Sequence, residues 1–141
     1  MIANKGIEFD ISRWPVLIVR PLRQVTNEEI DAFLGEYQRF LTYHKDDHAT
    51  VLDLRSYKDM PPAQRKRISE GMKGDGESDH HDRCKGFALV FQSALMRMLL
   101  TGILWAAKPD YELRVFNDIN EALVWARMQV TRDSLRPAAD A

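Results

Sequence analysis

The chain has 141 residues, with 20 Lys and Arg against 21 Asp and Glu and a formal net charge of −1. That length suits one domain with a real core, and the charge balance excludes a global pull towards nucleic acid or an anionic membrane. Cys84 is the single cysteine, which excludes an internal disulfide and points to a reduced, cytoplasmic setting.

In chain order, residues 1–6 lead into no hydrophobic core region with a small-residue cleavage site, so no secretory leader is expected. Ile7, Phe9 and Ile11 alternate with Glu8 and Asp10, the period of a half-buried strand. Ser12, Arg13, Trp14 and Pro15 make a turn, and residues 16–19 form a second, more apolar strand, so an antiparallel hairpin is expected. Trp14 covers a core edge or, if exposed, anchors an interface. Thr26 followed by Glu29 has the capping-box spacing, and Ile30, Phe33, Leu34, Tyr37 and Leu41 supply the apolar stripe of a helix. Residues 44–48 read as a polar loop that ends it.

Val51, Leu52 and Leu54 then form a buried strand, interrupted by Asp53 and followed by Arg55. Pro61 and Pro62 suit the start of a helix, where missing N–H groups cost little. That helix, over residues 63–72, carries Arg65, Lys66 and Arg67, either a solvated face or a contact for a phosphate or an acidic partner. Residues 74–83 read as loop. Within them Asp79, His80, His81 and Asp82 have metal-ligand chemistry. Four adjacent residues cannot all face one ion, however, and no Cys or His-Glu-x-x-His pattern completes a set. His44 and His48 have i, i+4 spacing, but Asp46 and Asp47 interrupt the helix that would align them. No metal or cofactor is expected.

The strongest pattern is a β–α–β unit over residues 84–116. Phe87, Ala88, Leu89, Val90 and Phe91 form a continuous apolar run, as in a strand buried on both faces. Ser93 suits an N-cap, an apolar helix spans 94–108, Pro109 stops it, and a strand over 111–116 resumes. Ala94, Leu95, Met98, Leu99, Gly102, Ile103 and Ala106 can make the helix face that packs on the sheet. Met96, Leu100, Leu104 and Trp105 then lie around its sides. Arg97 interrupts a run already too short for a membrane span, so no membrane insertion is expected. Either the helix is buried widely, or a second apolar face meets a partner. Cys84 reads as a small hydrophobe beside the strand. Asp118 or Asn117 caps a last helix packed through Ala122, Leu123, Trp125, Ala126 and residues 128–130, and 134–141 read as a flexible tail.

The expected fold is α/β over residues 1–133: one mixed, mostly parallel five-stranded sheet with about four helices, in the order β-β-α-β-α-β-α-β-α. In open sheets of this kind, ligands and regulatory contacts gather beyond the C-terminal strand ends. Asp53, Arg55, Ser56, Tyr57 and Asp59 occupy that position, as do Gln92, Ser93, Asn117 and Asp118.

Three stretches resemble the SpoIIAA-like or STAS-like domains, the class of anti-sigma-factor antagonists: Val51-Leu52-Asp53-Leu54-Arg55, the strand–helix run 86–105, and the closing run 114–125. Val115-Phe116, a short acidic cap, then Glu121-Ala122-Leu123-Val124-Trp125 look like the last β–α element of that class. The likeness covers roughly residues 5–130. It implies a non-enzymatic bacterial regulatory module that acts through protein–protein contact. Phosphoregulated members carry a serine or threonine at the start of the helix after the strand that 51–54 matches. The segment 56–62 has none there, and Ser56, just after the strand, is the nearest candidate for phosphorylation.

The expected partner-binding residues are therefore Asp53, Arg55, Ser56, Tyr57 and Asp59 at the strand end, Arg65 and Arg67 on the following helix, and Met96, Leu100 and Leu104 on the apolar helix. The last three are the candidate contacts of a homodimer. The alternative is a binder of a lipid or other small apolar ligand, with the Met-rich helix lining a pocket. An enzyme using Asp53, Asp59 or His80 and His81 is the third reading, without a nucleophile–base pair to support it.

Overall fold

The computed structural model describes residues 2–4, 6–57, 59–73, 83–107 and 112–134. All five expected strands and four helices are present in the expected order, and a short extra strand at the start makes a six-stranded sheet. The strands are β1 (Ile2–Asn4), β2 (Ile7–Asp10), β3 (Val16–Pro21), β4 (His48–Asp53), β5 (Cys84–Val90) and β6 (Leu113–Phe116). Among the described residues, the helices are α1 (Asn27–Tyr43), α2 (Pro62–Lys73), α3 (Ala94–Ala107) and α4 (Ile119–Ser134). Spatial order equals chain order: β1–β2 and β2–β3 pair antiparallel, and β3–β4, β4–β5 and β5–β6 pair parallel. Gly6, at φ +88°, makes the turn between β1 and β2, a conformation that glycine adopts without a Cβ penalty.

The capping box that opens α1 forms as its spacing implies. The Glu29 N–H donates to Thr26 Oγ1 at 3.1 Å and the Thr26 N–H donates to Glu29 Oε1 at 2.9 Å. Arg23 donates to the same carboxylate at 2.9 and 3.1 Å. The Arg23 guanidinium, then the Thr26 N–H, hold Glu29 down at about 2. The helix ends at Tyr43, where the His44 N–H donates to the Phe40 carbonyl.

His48 is not in the loop that its polar neighbours suggest. It opens β4 and is buried, its ring stacked 5.8 Å from Trp14. Trp14 also meets Phe40 edge-on at 5.3 Å, so the turn tryptophan seals one end of the core. An imidazole can be buried in this way because its ring packs like an aromatic; here Nδ1 stands 3.2 Å from the Asp46 carbonyl.

The two faces of the sheet are packed differently. One carries large side chains, among them Phe9, Leu17, Val19, Phe87 and Leu89, in a core completed by α1, the segment 54–60 and α3. The other carries Val16, Ala49, Val51, Ala88 and Val90, which meet Ala122, Ala126 and Val130 of α4. Small residues on both sides let α4 lie close to the strands. Gly86 belongs to that fit: a Cβ there would stand 3.0 Å from the Gln129 side chain and 3.1 Å from Trp125. Gly86→Val should lower unfolding free energy by about 2 kcal/mol through overpacking, read by urea denaturation. An unchanged midpoint would show that α4 has room to move.

Candidate functional site

The C-terminal edge of the parallel strands is organised by Asp53. It ends β4 on the face that α4 covers and is only 2% exposed. A carboxylate so placed needs charged or hydrogen-bonded partners to offset its lost hydration, and two arginines supply them. Arg20, near the end of β3, donates through Nε to Oδ2 at 3.0 Å. Arg55 donates through Nε to Oδ1 and through Nη2 to Oδ2, both at 2.8 Å, and its backbone N–H reaches Oδ1 at 3.2 Å. Arg20 also reaches Glu8 Oε1 of β2 at 3.3 Å. Burial would push the Asp53 carboxyl up, but the bonds from Arg55 and Arg20 outweigh it and hold the group below its ordinary value. The same carboxylate raises Arg55, with a smaller contribution from the charge of Asp118 at the start of α4.

The segment after Asp53 is tied to the end of β3 and the connector that follows it. The Ser56 hydroxyl donates to the Pro21 carbonyl. Tyr57 is buried; its hydroxyl accepts from the Val25 N–H at 3.1 Å and lies 3.4 Å from Gln64 Oε1. Gln64 in turn donates to the Val25 carbonyl at 2.7 Å, and Gln24 donates to the Asp59 carbonyl at 3.0 Å. Burial raises the Tyr57 phenol. Asp59 is exposed, and its carboxylate accepts the Met60 N–H at 2.8 Å. Arg67 of α2 pairs with Asp31 of α1 at 3.0 Å, and Arg65 is half-buried.

Of the sequence-based candidates, Asp53 and Arg55 are brought into direct contact, Ser56 and Asp59 stand at the surface, and Tyr57 is corrected to a core residue. Arg20 and the glutamines Gln24 and Gln64 were not anticipated. Each lies far along the chain from its partner, and no local pattern marks such pairs. Ser93 and Asp118 act as helix caps, Ser93 Oγ accepting the Met96 N–H at 3.3 Å and Asp118 Oδ1 accepting the Asn120 N–H at 2.7 Å.

Helix α3 is turned the other way from the expectation. Met96 and Leu100 are 0% and 2% exposed and belong to the cluster that holds Tyr57, Met60, Phe87 and Leu89. They are the face turned into the protein, not the contacts of a dimer, because their i, i+4 spacing sets both over the large-residue face of the sheet. Leu95 and Met98, read from sequence as the sheet-facing residues, are 43% and 64% exposed. Both faces of the helix are apolar, so hydrophobic periodicity could not tell them apart. Thr101, about 60° from Met98 around the helix, was the available signal. The Leu104 side chain lies outside the described residues, as do the sequence 79–82 with His80 and His81, the helix stop at Pro109 and residues 135–141.

Cys84 is buried, and burial pushes its thiol up to about 12, which suits the small hydrophobe of the sequence reading rather than a reactive thiolate. Among the described residues, no helix is long and apolar enough to cross a membrane, and no group of three His, Cys, Asp or Glu is placed to hold a metal.

No family model matches the chain, and no curated protein matches it. Among solved structures, an uncharacterized protein of the DUF3478 family from Shewanella loihica PV-4, described as having a SpoIIAA-like fold, is similar to it. The two are 18% identical, with a TM-score of 0.61 over 89% of this chain and 98% of the other. The fold is therefore SpoIIAA-like, as the sequence resemblance implied.

Two predictions follow from this geometry. Asp53 titrates below its ordinary value in the folded chain, so its contribution is fully present above pH about 4. It is lost as the pH falls through the lowered value. Asp53→Asn should cost about 2 kcal/mol near neutrality, the arginines being partly hydrated. In urea titrations the gap to wild type should narrow on acidification below about pH 4; a gap independent of pH would remove the ion pairs as its cause. Leu100→Glu should abolish the native near-ultraviolet circular dichroism, whereas Met98→Glu should retain it. Equal tolerance of both would contradict the orientation of α3.

Proposed function

We propose that this protein is a non-enzymatic bacterial regulatory module that acts in the cytoplasm by binding another protein, with residues 1–133 as its single domain and 134–141 as a flexible tail. The observation that carries this reading is the outward face of α3, where Leu95 and Met98 stand exposed beside Ala94, Thr101 and Gly102. Leucine and methionine exposed side by side on one helix face offer an apolar contact to a partner. The SpoIIAA-like fold supports the same reading at the level of architecture. At the strand ends, the groups best suited to acid–base chemistry are engaged in holding the chain together. Both Asp53 oxygens accept from guanidinium groups, and the Tyr57 hydroxyl is bonded within the core.

Ser56 is the candidate modification site of this reading. Its hydroxyl bond to the Pro21 carbonyl joins the loop after β4 to the end of β3. A phosphate on Oγ would remove that donor and place negative charge beside the arginine cluster.

The test is affinity capture from native extract with wild-type protein and a folded Leu95→Glu/Met98→Glu variant as baits. The expected result is a partner retained by the wild type and lost by the variant. Identical captured sets would contradict the assignment of this face.

A further inference from the structure

We infer that the occupant of the α3 face is a second copy of this chain, packed antiparallel about a two-fold axis that passes through Met98. This rests on the partner-binding reading above and names its partner. The six exposed positions of the described part of α3 are Ala94, Leu95, Arg97, Met98, Thr101 and Gly102. At about 100° per residue they surround Met98, with Leu95 and Gly102 on one flank and Ala94, Thr101 and Arg97 on the other. A two-fold axis through Met98 reverses the helix direction but keeps each flank facing its own kind. Leu95 of one copy then stands over Gly102 of the other, and Ala94 meets Thr101. The large side chain falls on the position with none, and the arrangement occurs twice by symmetry.

Gly102 gives this register independent support. Among the described residues, nothing lies within 4 Å of where its Cβ would stand. Its backbone is not in the left-handed region. Neither packing among the described residues nor conformation calls for a glycine there, and glycine is among the poorest residues for a helix interior. A hole that receives Leu95 of a second copy gives it a use. Charge does not select a different partner: α3 has no acidic residue, and its one exposed cation, Arg97, stands about 100° from Met98 at the rim of the face. A 14-residue helix is about 21 Å long. One such contact covers less than the roughly 800 Å² per partner of a stable interface, so the dimer is reversible and concentration-dependent.

Sedimentation equilibrium on the full chain, from low micromolar to near-millimolar concentration, tests this. The wild type should move from the chain mass towards twice that mass. Met98→Glu should stay at the chain mass throughout. Gly102→Leu should weaken association at least about tenfold by filling the hole, while its thermal midpoint is not lowered, since a better helix former replaces glycine in open space. Val124→Glu, an equally exposed apolar position on α4, should associate as the wild type does. A wild type that keeps the chain mass at every concentration overturns the inference. Association that survives both α3 variants overturns it as well. If the monomer still captures a different protein through Leu95 and Met98, the partner-binding reading stands without the second copy. Loss of both would end both.

Discussion

Placing a carboxylate at the inner end of a central strand costs several kcal/mol of hydration unless charged donors replace the water. Asp53 meets that requirement with Arg20 and Arg55, and much of the strand-end geometry follows from it. Arg20 extends the link to Glu8, so β2, β3 and β4 are cross-tied at one level of the sheet. Arg55 carries it towards Asp118, where α4 begins. Ser56, Tyr57 and Asp59 are bonded to the segment from Pro21 to Val25. At the edge that open α/β sheets commonly use for ligands, these side chains are engaged in contacts within the chain.

The different side chains on the two sheet faces explain where an apolar helix face is left in solvent. Alanines and Gly86 let α4 settle close to the strands. On the other side, phenylalanines, leucines and methionines hold the helices farther out, and α3 packs alongside α2. Its inner ridge, Met96 and Leu100, completes the core. Its outer ridge of Leu95 and Met98 is then left in solvent, although the helix is apolar on both sides.

What the sequence made legible was local. The capping box of Thr26 and Glu29, the apolar run 87–91 and the cap at Ser93 each lie within a few residues, and each appears as read. Three residues beside Gly6 carry too little periodicity to mark β1 as a strand. The charged neighbours of His48 read as loop, whereas Trp14, far along the chain, stacks on its ring. Arg20 and Asp53 are 33 residues apart, and a pair like that has no signature until the strands align. The orientation of α3 was the most consequential miss, because two apolar faces differ only in what the rest of the fold places against them.

The central claim is that α3, and not the strand-end loops, is the surface this protein uses. Amide hydrogen exchange of the wild-type chain, compared between dilute and concentrated solution and read peptide by peptide, tests it most directly. The account predicts that protection rises with concentration over residues 94–102 while residues 54–60 stay as they were. A rise at 54–60 with α3 unchanged would contradict it.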